Sequence, residues 1–205
     1  YYNGQGIVKC TDQECSSGLF KLISGIARQP RSTSVAIGAG QRPIITYDDS
    51  DFGLMFVRCE DVNCETAAVP VNIDAPVGVE SAILFGKGSA IAIGTDGYPV
   101  ISYVNDNVVR VAKCLDVDCA NSSLSTIDQQ TYGLNPTDIA IGSDGMPIVT
   151  YRDDGLAAVR VGKCHDSACA TATVTSLTTG LEGSDNRVTV DVSNDGLPVV
   201  VFSTW

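Results

Sequence analysis

One phrase recurs four times along the chain, and a fixed period of this size admits few architectures. Its first copy is Val35-Ala36-Ile37-Gly38 closing on Pro43-Ile44-Ile45-Thr46-Tyr47, and the others occupy residues 91–103, 139–151 and 190–202. The closing aromatics Tyr47, Tyr103, Tyr151 and Phe202 stand 56, 48 and 51 residues apart. Repeats of about 50 residues made of short strands point to a propeller or a solenoid.

Each repeat parses into four strands. The first is small and apolar, as in Ile91-Ala92-Ile93, and ends on an Asp-Gly pair (Asp96-Gly97, Asp144-Gly145, Asp195-Gly196) that favours a tight hairpin. The second runs from the proline to the aromatic. The third alternates apolar residues into a cysteine, as Val109, Val111 and Ala112 do before Cys114, and the fourth follows the next cysteine. Pro70 falls in the fourth strand of the first repeat and cannot donate to a ladder, which makes the fourth strand the outer edge and the first strand the inner one. Asp191 replaces the alanine of the other repeats (residues 36, 92 and 140) and is expected to line a watery channel.

These strands predict an all-β, four-bladed β-propeller of four-stranded antiparallel blades, forming a single domain over residues 1–205. The blades fall at about 32–78, 88–130, 137–180, and 187–205 together with 1–25. The chain opens on a third and a fourth strand and closes on a first and a second. In repeat positions Trp205 falls one place before Tyr1, so residues 6–10 are expected to pair with residues 198–202 and close a ring.

The run from Ala92 through Gly94, Asp96, Gly97 and Pro99 to Tyr103, followed by Val111-Ala112-Lys113-Cys114, resembles the blade repeats of secreted bacterial β-propeller proteins. The likeness covers essentially the whole chain. It implies a fold more than an activity, because propellers host many functions. The phrase is also similar to the Asp-box of sialidases, but the closing Trp and the arginine cluster are missing, so sialidase activity is not implied.

All eight cysteines lie in pairs of one spacing: Cys10 and Cys15, Cys59 and Cys64, Cys114 and Cys119, Cys164 and Cys169. An even count at constant spacing predicts four disulfides, each within its own blade, and an extracellular or cell-surface location. Zinc would need pairs about 50 residues apart to converge with a single imidazole, His165, and is not expected. Asn121-Ser122-Ser123 is the usable N-glycosylation sequon. Net charge is −11, with basic residues scattered singly, which argues against nucleic acid and anionic membrane as partners; no apolar run is long enough to span a bilayer.

In every cysteine loop an aspartate (Asp12, Asp61, Asp116, Asp166) follows the first cysteine by two places and is expected to cap the turn, while Lys9, Arg58, Lys113 or Lys163 precedes it. These aspartates share one face with Asp96, Asp144 and Asp195. Asp48, Asp49, Asp51, Asp106, Asp153 and Asp154 are expected on the opposite face. Such clusters suit a structural calcium, but EF-hand spacing is absent and no cofactor is expected. His165 sits at a variable hairpin tip with no catalytic set around it. The expected function is therefore a non-catalytic extracellular structural module that assembles with copies of itself into a filament, array or coat. The alternative is a propeller that binds a glycan, peptide or cation.

Overall fold

A computed structural model describes residues 5–23, 30–49, 52–75, 88–129, 136–180 and 187–203. The chain is all-β: among the described residues the one helical element is a 3-10 turn at Ala39–Gln41. The strands of the described residues form three four-stranded antiparallel sheets and two two-stranded ones. A hairpin of β1 (Gln5–Cys10) and β2 (Gly18–Ile23) comes first. The first sheet holds β3 (Pro30–Ile37), β4 (Pro43–Asp49), β5 (Gly53–Arg58) and β6 (Val71–Asp74). The second holds β7 (Ala90–Ile93), β8 (Pro99–Asn105), β9 (Val108–Cys114) and β10 (Ser122–Gln129). The third holds β11 (Asp138–Ile141), β12 (Pro147–Asp153), β13 (Ala158–Cys164) and β14 (Ala172–Thr178). A hairpin of β15 (Val188–Val192) and β16 (Pro198–Phe202) ends the series. No helix among the described residues is long and apolar enough to cross a membrane.

Each four-stranded sheet is a meander in sequence order, for local reasons. Gly97, Gly145 and Gly196 supply the positive φ, 80° to 83°, that the first hairpin turn requires. The aspartate before each glycine locks that turn: Asp96, Asp144 and Asp195 accept the N–H of Tyr98, Met146 and Leu197, all at 3.0 Å. Pro43, Pro99, Pro147 and Pro198 each stand first in their strand, where a missing N–H least disturbs the ladder.

The sheets pack face to face in chain order. Ile7 and Ile23 of the first hairpin meet Ile45, Tyr47, Met55 and Val57 of the first sheet. Leu54, Phe56 and Ile73 of the first sheet pack on Ile101, Tyr103 and Ala112 of the second. Val100, Val109 and Ile127 of the second pack on Val149 and Tyr151 of the third. Ala140 and Ile148 of the third pack on Val190 and Val200 of the last hairpin. Sandwiching between neighbours buries β4, β8 and β12 along their whole length. The first strands adjoin one another in the same order, and residues 32–34, 88–90, 136–138 and 187–189 line one cavity of about 470 Å³.

Two expectations change. Pro70 lies immediately before β6 rather than within it, although β6 is the edge strand as expected. The fourth four-stranded sheet, expected from residues 198–202 pairing with residues 6–10, is instead two half-sheets: among the described residues β16 pairs with β15 alone, and β1 with β2 alone. Each hairpin rests on a different sheet, β1–β2 on the first and β15–β16 on the third, and a groove stands between β1 and strands β3 and β4. Tyr1, Ser24 and Trp205 lie outside the described residues.

Candidate functional site

The four disulfides join Cys10 to Cys15, Cys59 to Cys64, Cys114 to Cys119 and Cys164 to Cys169, as the spacing predicts. In each loop the second cysteine takes a left-handed φ of 51° to 57°. Its N–H reaches back to the carbonyl of Asp12, Asp61, Asp116 or Asp166 at 3.1–3.3 Å. The aspartate caps the turn from inside: Asp116 accepts the N–H groups of Asp118, Ala120 and Asn121 at 3.0–3.1 Å. The Ser16 hydroxyl and N–H hold Asp12 below the ordinary carboxylate range, and the Glu65 and Thr66 N–H groups do the same for Asp61. These carboxylates are occupied by their own loops. Asn121 is exposed, with its amide 3.3 Å from Asp116 Oδ2. His165 Nε2 lies 2.8 Å from Thr173 Oγ1, and Nδ1 lies 3.3 Å from Thr171 Oγ1.

The face bearing these loops is less negative than the aspartate count suggests. Lys113 and Lys163 bridge the third strand to the first hairpin turn, at 2.7 Å from Asp96 and Asp144 respectively. Arg58 pairs with Asp118 of the neighbouring sheet. On the opposite side Asp48, Asp49 and Asp153 are buried instead of lining a surface. Asp49 and Asp153 cap the second hairpin, accepting from Phe52 and Leu156 N–H at 3.0 and 3.2 Å. Burial pushes Asp48 up to about 7. Asp106 sits in the Asp106–Asn107 turn, Asp154 pairs with Arg152 at 2.9 Å, and Asp51 lies outside the described residues.

A clasp between sheets was not singled out from the sequence. The fourth strands β6 and β10 carry a bulge that leaves Ile73 and Ile127 unpaired and turns the following aspartate toward the next sheet. Asp74 there accepts the Tyr103 hydroxyl at 2.8 Å and Asn105 Nδ2 at 2.9 Å, with Arg110 at 3.0 Å. Asp128 takes the Tyr151 hydroxyl and Arg160 in the same way. Burial first, then the facing carboxylate, raises both tyrosine hydroxyls. The signal was present in the repeats: where aspartate gives way to Thr178, the tyrosine gives way to Phe202 and the arginine position to Gly6.

The inner cavity is lined by Ser34, Ser89, Thr137, Asp138 and Arg187 among others. Asp138 ties two first strands together by accepting the Val190 N–H at 2.9 Å, and burial raises its pKa. Asp191, the expected channel residue, is exposed farther along β15, where it accepts the Val192 N–H at 2.8 Å. No group of three or more metal-ligating side chains occurs among the described residues.

Both two-stranded hairpins present apolar surface. A groove of about 520 Å³ separates β1 from β3 and β4, lined by Ile7, Val35, Ile37 and Ile45 among others. On the opposite end β16 exposes Val199 (52%) and Val201 (62%), and the outer face of β1–β2 exposes Val8 (59%) and Phe20 (65%). No protein-family model matches the chain, and no curated protein sequence matches it.

Proposed function

We propose that this chain is a non-catalytic extracellular building block, a propeller whose sheets are blades around the shared cavity, and that it works by assembling with copies of itself. The observation that carries this reading is the pair of open half-sheets with exposed valines on both, because unprotected apolar edge strands are what β proteins otherwise avoid. Four disulfides support an oxidising compartment. The ordering of first strands around one cavity supports the radial arrangement. Contacts that repeat without closing on themselves give filaments or arrays.

Electron microscopy of the purified, concentrated chain tests this directly. Filaments or ordered arrays are expected; isolated particles at every concentration would contradict it. A second reading, a binding module, draws on the hydroxyl-rich cavity with Asp138 and Arg187 at its wall. Saturable glycan or peptide binding that Arg187→Ala abolishes would favour it.

A further inference from the structure

The two half-sheets are complementary parts of one blade. In every complete sheet the residue after the leading proline pairs with the residue before the first cysteine: Ile44 with Arg58, Val100 with Lys113, Ile148 with Lys163. Carried to the ends of the chain, this register sets Val199 opposite Lys9, Val200 opposite Val8, Val201 opposite Ile7 and Phe202 opposite Gly6.

We propose that β16 of one copy adds to β1 of a second copy in this register, so that two chains complete one four-stranded blade in trans. The proposal rests on the self-assembly reading above and names its contact surface. Side-chain direction fits on both faces of the composite sheet. Strand alternation sends Val199 and Val201 toward the groove that Val35, Ile37 and Ile45 line on the first sheet of the copy giving β1. It sends Val8 the other way, toward the third sheet of the copy giving β16. There Leu177 occupies the bulge position of Ile73 and Ile127 and stands exposed, whereas Ile127 is packed on Gly162 of the next sheet. Gly162 is the repeat counterpart of Val8. One operation thus covers the exposed valines of β16, the apolar groove, Val8 and Leu177 together. A second copy is the fitting occupant because every copy carries both halves in matching register, while among the described residues no ladder joins β16 to β1 within one chain.

Cross-linking tests the register. Val8→Cys and Val200→Cys chains are prepared separately, mixed, and analysed by non-reducing peptide mapping. A Val8→Cys to Val200→Cys bridge between chains is expected, with at least a tenfold lower yield when Val199→Cys replaces Val200→Cys. The double variant V8C/V200C should give a ladder of multimers; a bridged monomer would show closure within one chain and overturn the proposal. Val201→Asp, at a site exposed in the free unit, should abolish assembly without shifting the unfolding temperature. If wild-type copies assemble on light scattering but neither the bridge nor the Val201→Asp effect is seen, the trans blade is wrong and self-assembly stands. If copies neither bridge nor assemble, both fail.

Discussion

Asp48 shows how repeat position and burial set the chemistry of a side chain. Its counterparts in the other sheets are Val104 and Arg152, and among these three buried residues it alone is a carboxylate, with an Oδ2 that has no hydrogen-bond partner among the described residues. A carboxyl whose folded pKa is raised from 3.8 to about 7 binds its proton more tightly in the fold than in the unfolded chain. Its contribution to stability is then complete below about 3.8 and is lost as pH rises through about 7. The loop aspartates Asp12 and Asp61 act in the opposite sense, below the ordinary carboxylate range. Asp48→Asn should therefore flatten most of the fall in unfolding temperature between pH 4 and 7 that wild type shows, as read by circular dichroism. An unchanged slope in the variant would contradict this assignment. From the sequence this residue looked like a surface ligand, because a carboxylate pair after a strand reads as a turn; only the packing of the next sheet, with Ser89 against it, buries it.

Elements were legible where the determinants lie within one repeat. Asp-Gly turns, strand-leading prolines and cysteine spacing are all local, and the hairpins and disulfides they predict are present. By the loop-entropy formula each bridge, closing so short a loop, contributes about 2 kcal/mol, and the aspartate cap holds the same turn. Contacts between sheets were not legible repeat by repeat, since the bulge at Ile73 or Ile127 that aims Asp74 or Asp128 outward has no residue signature of its own. These clasps hold sheet to sheet more specifically than the aliphatic packing beneath them. Asp74→Ala removes the acceptor for Tyr103, Asn105 and Arg110 at once and leaves a guanidinium and a hydroxyl without it. A loss of about 3 kcal/mol in urea unfolding is expected. A loss under about 0.5 kcal/mol, the range of an ordinary surface substitution, would show that the clasp is incidental.

At the scale of the whole molecule, the repeat count announces four four-stranded sheets, while the described residues complete three and leave two halves. The sequence register says that the ends match. It does not say whether they meet in one chain or between two, because strand pairing is blind to chain identity. Net charge of −11 per unit opposes contact between copies, and added salt should strengthen assembly by screening it. Sedimentation velocity across protein concentration at low and moderate salt is the most direct measurement. Species at multiples of 21.5 kDa are expected, with an average mass that rises with concentration and with salt. A single 21.5 kDa species under every condition would contradict self-assembly.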